Sequence, residues 1–408
     1  MFRKESLYQL MFILCVAVPY ANIYELTFLI WAATIFFTLQ KSYSLPILKL
    51  VACFSAILGI ALIVSFFNNV KPYNFIRDFA YILKPIFGLL VGYQLCKNHI
   101  KSPLKTAVYA GLFIAVIHLS MVAYSLIVLG DRTMPDIRLH SGYYSDFEVY
   151  VVILLLFYKQ FEIDLTRKQY LWFLTIIGLS SFLYLARTNF IQFVILYLAV
   201  KGYLKINERS IVVMSTLIIS VLIGYTAIYY YNPKRGGSVT EALLYKIKNA
   251  PIEPFKTKID VNDWKDFNDN YRSYENILTV QQVTKKGTSA VFFGEGLGSS
   301  IDLKREVWLL SSYMRYIPFL HNGYMTVFLK SGLLGVLVLL ISIGLFFVNK
   351  RTEIPLVNNV NLLFLGTGFF LIISYWVFMG FYFVPDSKSV FIGALFAFKS
   401  KLLRNHLA

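Results

Sequence analysis

Long apolar stretches alternate along this chain with short basic connections, and that alternation decides what the chain can fold into. Apolar segments near 7–20, 22–39, 47–67, 79–96, 104–129, 147–161, 169–186, 188–203, 210–231, 322–348, 358–382 and 388–404 approach or exceed what a helix needs to cross roughly 30 Å of hydrocarbon. They predict an all-α, polytopic membrane protein with about 12 transmembrane helices. Composition agrees. With 57% hydrophobic residues, 15% charged residues and a mean hydropathy of +0.62, the chain has too little polar surface for a water-soluble globule.

Orientation follows from where the basic residues fall, because short cytoplasmic loops concentrate Lys and Arg. Placing the N-terminus inside puts Lys41, Lys49, Lys97, Lys101, Lys105, Lys159, Arg167, Lys168, Lys201, Lys205, Arg209, Lys350 and Arg351 in cytoplasmic connections, with Lys399, Lys401 and Arg404 in the tail. The opposite short loops hold Lys71, Arg77, Arg132, Arg138, Arg187 and Lys388. Both termini are therefore expected to be cytoplasmic. The net charge of +17 is explained by these loops and calls for no nucleic-acid partner. Arg3 and Lys4 precede an apolar run without a small-residue cleavage pattern, so no cleaved signal is expected. Cys15, Cys53 and Cys96 show no paired spacing and read as small core residues.

Two regions depart from the regular pattern. Residues 169–203 form one apolar block interrupted only by Arg187-Thr188-Asn189; basic clusters at both ends predict a tight helical hairpin with Arg187 at its outer turn. Residues 232–320 form a polar loop of both signs, with 13 Lys plus Arg against 10 Asp plus Glu, which the topology places outside the cytoplasm. Apolar residues at three- and four-residue steps predict short helices at 238–250 and 271–286 within it. Three parts result: helices 1–9 in residues 1–231, the large periplasmic loop in 232–320, and helices 10–12 in 321–408.

Four polar stations meet the outer face in this topology: the loop Asp131–Tyr144 with Arg132, Arg138 and His140; Arg187; Arg272; and His321-Asn322 at the start of the tenth span. Taken singly, each has an ordinary explanation. Arg138 and His140 read as interfacial charges beside carboxylates such as Asp136, and Arg272 as a surface ion pair with Asp269 or Glu275. His321 reads equally as an interfacial helix-start residue or a catalyst. Arg187 departs furthest from such a reading, since an arginine in an apolar block is costly without a partner or an aqueous cavity. Together, guanidinium groups suit phosphate oxygens and a neutral imidazole can take a hydroxyl proton. Phe292–Ser300, FFGEGLGSS, does not have the spacing of a nucleotide-binding loop and reads as a turn returning the loop to the membrane. Gly332 and Gly335 read as aids to close helix packing. No metal-ligand pattern is present in the sequence, and no metal or cofactor is implied.

Leu185-Ala186-Arg187-Thr188, a long outer loop carrying an arginine followed by GEGLGSS, and HNGYMTVFLKSGLLG at His321–Gly335 resemble, in order and spacing, the O-antigen ligase/polymerase family. RLHSGYYSDFEVY at Arg138–Tyr150 resembles that family's preceding outer loop. The resemblance implies a bacterial inner-membrane glycosyltransferase acting at the outer face on undecaprenyl-pyrophosphate-linked glycan, without metal or nucleotide sugar. It implies that His321 assists the acceptor hydroxyl, and that Arg187 and Arg272 bind the leaving pyrophosphate, with Arg138 contributing and Asn322 supporting. Membrane lipid surrounds such an enzyme, and a chain-length regulator is a candidate partner. The segment Ile76–Leu95 resembles the polymerase branch more than the ligase branch, which transfers finished glycan to lipid A core. A lipid-linked glycan transporter or flippase and a non-catalytic scaffold are the alternatives from other classes. A transporter would place ionisable residues near span midpoints, whereas the sequence places nearly all of them at span ends.

Overall fold

The computed structural model describes residues 4–407 except 69, 206, 236–237, 250, 252, 254–255, 310–311 and 349. Each expected apolar segment forms a helix: α1 (Lys4–Ala17), α2 (Tyr24–Phe37), α3 (Leu45–Ser65), α4 (Pro72–Asn98) and α5 (Pro103–Tyr124). After a short α6 (Met134–Ser141) come α7 (Asp146–Leu156), α8 (Arg167–Leu183), α9 (Arg187–Val200) and α10 (Glu208–Tyr231); the chain closes with α15 (Gly323–Gly344), α16 (Pro355–Phe378) and α17 (Lys388–Leu407). Six of these, α3, α4, α5 with its continuation to Leu129, α10, α15 and α16, are long and apolar enough to cross a membrane. The others among the expected segments are shorter or, in α17, more polar. The chain is thus a helical membrane protein in architecture.

Local chemistry sets the helix ends. Proline occupies the first turn of α3, α4, α5 and α16, where its missing N–H has no intrahelical partner to lose. Thr166 and Gln169 form a reciprocal capping box on α8, while the Ser145 and Asn322 side chains accept from Glu148 N and Met325 N at 3.4 and 3.2 Å. The most intimate pair is α4 with α17. A Cβ at Gly92 or Gly393 would collide with the opposing backbone, so glycine is what allows that approach. Around this pair, α3 packs on α4 and α15, and α16 packs on α9, α15 and α17. Helices α8 and α9 both lean on α7 but otherwise choose different neighbours, α5 and α16. The block 169–203 is therefore a hairpin splayed over α7.

Expected charge placement requires a correction. Lys84 lies midway along α4, buried, and donates to the Phe383 carbonyl at 2.9 Å and to the Val384 carbonyl. Lys388 bridges the buried Asp146 and Asp386 at 2.6 Å each. Lys330 and Asp78, both fully buried, pair at 2.5 Å between α15 and α4. Each cation sits inside the protein because carboxylates or carbonyls from distant segments meet it there, which local sequence does not reveal. Cys15 and Cys96 are buried and Cys53 is half-buried, all three as free thiols.

The loop between α10 and α15 folds as α11 (Val239–Asn249), α12 (Trp264–Asp269), α13 (Tyr271–Lys285), α14 (Thr288–Phe293) and the strands β1 (Ile301–Leu309) and β2 (Ser312–Ile317). Helices α11 and α13 match the two amphipathic stretches, although Gly236–Gly237 and residue 250 lie outside the described residues. The antiparallel hairpin β1–β2 corrects the all-α expectation. Its first strand has a register irregularity between Asp302 and Val307, which masks the two-residue alternation a strand would show.

Candidate functional site

His321 lies between β2 and α15, with its neighbour Asn322 serving as the buried N-cap of that helix. Nδ1 of His321 meets the two Glu275 carboxylate oxygens at 3.0 and 3.1 Å, and the His321 backbone N–H donates to Oε2 of Glu275 at 3.1 Å. Glu275 is 1% exposed while the His321 side chain is 47% exposed. A carboxylate only accepts, so the proton belongs on Nδ1 and the Nε2 lone pair is left for an incoming hydroxyl. The Tyr271 ring packs edge-on against the imidazole at 5.8 Å. Burial and the Glu275 carboxylate push its phenol above the usual tyrosine range.

Glu275 comes from α13, and Arg272 stands one turn before it on the same face. Burial depresses the Arg272 guanidinium; Glu253 opposes the shift, Arg187 adds to it and Glu275 opposes it. Burial likewise depresses Arg138, with Tyr143 opposing and Arg187 adding. Arg187 is thus within electrostatic reach of both. It is exposed, at the first position of α9, after a turn in which Leu185 has φ 46°. Tyr184 steadies the turn, donating to Glu148 Oε1 at 3.2 Å and stacking on His118 at 3.6 Å. Among the described residues neither Arg187 nor Arg272 has an ion-pair partner: Asp269 is taken by Arg235 at 3.0 Å and Glu275 by His321. Arg187 is thus the common electrostatic neighbour of Arg138 and Arg272, and Glu253 and Glu275 partly offset the charge at Arg272.

The remaining sequence candidates make contacts other than those expected. Arg138 donates to the Tyr143 carbonyl at 3.0 Å and lies 5.4 Å from that ring, not against Asp136, which bonds Thr133. His140 pairs with Asp131 at 2.8 Å. It overlooks an open apolar groove of about 410 Å³ lined by Val116, Ile117, Ser120, Met121, Tyr124 and Leu129. Asn322 Oδ1 is spent on the Met325 N–H cap, leaving its buried Nδ2 without a partner among the described residues. Asn322 therefore fixes the helix start on which His321 depends. It does not contact the imidazole through a hydrogen bond among the described residues.

The glycine-rich turn holds these pieces in register. Helix α15 breaks at Gly332, with φ 65° and ψ −164°, and the interrupted ladder is satisfied from outside. Glu295 N–H donates to the Leu329 carbonyl at 2.7 Å and Gly296 N–H to the Lys330 carbonyl at 3.1 Å. Gly332 is needed for its backbone conformation and because a Cβ would strike the Phe292 backbone, which corrects its reading as a simple packing residue. Gly298 N–H donates to Asp78 Oδ2 at 2.6 Å, and Leu297 N–H to Ser65 Oγ at 2.6 Å, tying the turn to α4 and α3. Buried Glu295 then grips α13 through Gln282 at 3.1 Å and Lys286 at 2.5 Å. The same turn thus joins the helix carrying Arg272 and Glu275 to the helix carrying His321 at its head.

Sequence reasoning named Glu275 only as a neighbour of Arg272 and missed its contact with His321, and it missed Tyr271, Glu295, Lys330 and Asp78. Only the first had a local signal, its three-residue offset from Arg272 on an amphipathic helix. No protein-family model and no curated protein matches the chain.

Proposed function

We propose that this chain is a membrane glycosyltransferase of the polymerase kind, joining oligosaccharide units carried on a polyprenyl pyrophosphate. The observation that carries the reading is the conjunction of the Glu275–His321 contact with the neighbouring Arg187 and Arg272, neither of which is in an ion pair among the described residues. The acceptor hydroxyl oxygen attacks the anomeric carbon of the donor. Its proton passes to His321 Nε2, the C–O bond to pyrophosphate breaks, and the lipid pyrophosphate leaves toward Arg187, Arg272 and Arg138. Pyrophosphate is already a competent leaving group, so positioning, charge stabilisation and one base suffice. In this reading all twelve apolar helices lie within the inner membrane, both termini are cytoplasmic, and the 232–320 loop covers the outer face.

Buried charges at Lys84 and Lys388 do not turn the reading toward transport. Each is satisfied by carboxylates or carbonyls, and the space beside Lys84 is about 20 Å³, room for roughly one water. Glycan profiling of a deletion strain tests the assignment. Core bearing one repeat unit is expected; unsubstituted core with lipid-linked polymer accumulating would assign the ligase activity instead, and an unchanged profile would refute both.

A further inference from the structure

The β1–β2 hairpin is rooted beside the site and bare at its tip. Ile301 pairs with Ile317 at the root, where Ile301, Leu303 and Ile317 are buried with Leu278 of α13 and with Phe328 and Leu329 of α15. Tyr274 OH fastens the Leu303 carbonyl at 2.7 Å. Beyond the irregularity, where Lys304 takes φ 57°, pairing resumes as Val307–Met314, Trp308–Tyr313 and Leu309–Ser312. At about 3.4 Å per residue, the six steps from Leu303 to Leu309 carry the tip no more than about 20 Å from the root. That root touches the first turns of a helix apolar enough to cross a membrane, so a tip about 20 Å away is within reach of the surface that helix would meet.

The tip presents what a lipid interface accepts. Trp308 is 61% exposed and Tyr313 67%, their rings edge to face at 4.9 Å. Indole and phenol rings favour the boundary between acyl chains and water, where an apolar body and a polar edge are both satisfied. Cationic Lys304, Arg305 and Arg315 follow behind, all exposed, against two carboxylates, Asp302, held by Arg315 at 2.7 and 2.9 Å, and the exposed Glu306, so the collar keeps a net positive charge. Aromatic tip and basic collar reproduce the order of acyl boundary and phosphate layer. A glycan also stacks on aromatic rings, but the next pair along the hairpin is Val307–Met314, apolar residues that an acyl boundary rewards and a polyol does not.

We propose that the hairpin is an interfacial anchor, seating Trp308 and Tyr313 in the headgroup region of the bilayer that holds the helices, with Lys304 and Arg315 at the level of the lipid phosphates. The partner is a phospholipid surface. The contact fixes the height of β2, and with it His321 four residues beyond Ile317. It is independent of the reaction catalysed.

The test reconstitutes the full chain, and its Trp308→Phe variant, in nanodiscs of phosphatidylethanolamine and phosphatidylglycerol with or without bromine near the head of the acyl chains. The difference in emission between the two proteins isolates Trp308. Bromolipid is expected to remove at least half of that difference, and aqueous iodide little of it. A polarity-sensitive fluorophore on Tyr313→Cys should report the same non-aqueous setting. Both substitutions sit on the exposed tip and leave the buried root intact. Quenching by iodide and not by bromolipid would overturn the proposal, as would a Trp308 signal that responds to added soluble polysaccharide and not to bromolipid.

Discussion

Replacing Lys330 by methionine removes one partner of an ion pair in which both side chains are wholly buried. Asp78 then keeps the Gly298 N–H at 2.6 Å and Arg77 at 2.9 Å, but it loses its enclosed counter-charge, and the Ser299 carbonyl loses its donor. Breaking such a pair from one side costs about 3–5 kcal/mol, and the surviving Arg77 contact places this case near the lower figure, about 3 kcal/mol. That is roughly 150-fold in the folding equilibrium. Protease resistance and thermal unfolding of purified protein in nanodiscs measure it. The double variant Lys330→Met/Asp78→Leu removes both charges and should recover most of the loss, because well-packed apolar side chains replace a buried pair at little cost. A single variant as stable as the wild type, or a double variant losing the sum of the two single losses, would refute the argument that these charges clamp the glycine-rich turn.

Glu275→Gln leaves packing intact but lets Nδ1 of His321 accept, so transferase activity should fall by about 100-fold or more with unchanged protein level. Arg272→Lys should cost about tenfold to a hundredfold in kcat/KM, because an ammonium cannot reproduce bidentate contact to phosphate; equal activity would remove Arg272 from the anion site. Gly332→Ala forces a Cβ onto a φ of 65° beside the Phe292 backbone and should destabilise by at least about 1–2 kcal/mol, read as a lowered unfolding midpoint. Hydrogen bonds from Arg315, opposed by burial and aided by Lys304 N–H, hold the Asp302 carboxyl below the usual carboxylate range. A depressed acid adds stability that is complete above its unfolded value and is lost as pH falls through the folded one, so the hairpin should become protease-sensitive only below about pH 4. Loosening that begins at neutral pH would contradict this sign.

The sequence carried the helices and the loop's two amphipathic segments because both depend on local composition and spacing. Arg187, Arg272 and Arg138 were legible as charges on the outer face, and the structure brings Arg187 within electrostatic reach of each of the other two. What was illegible depends on contacts between distant residues. Lys330 meets a carboxylate 252 positions away, and Glu295 takes its place only when α13 and the broken α15 are both present. The hairpin escaped because the irregularity at Lys304–Glu306 interrupts its alternation. Gly332 read as a packing glycine because nothing nearby announces that another segment supplies the missing hydrogen bonds.

The central claim is that the Glu275-oriented His321 faces the arginine cluster and performs glycan transfer. Purified chain in proteoliposomes, given lipid-pyrophosphate oligosaccharide in the presence of a chelator and no nucleotide sugar, should release lipid pyrophosphate and lengthen the glycan. His321→Ala, present in equal amount and equally folded, should do neither. Extension by His321→Ala at the wild-type rate, or none by the wild type, would contradict the account.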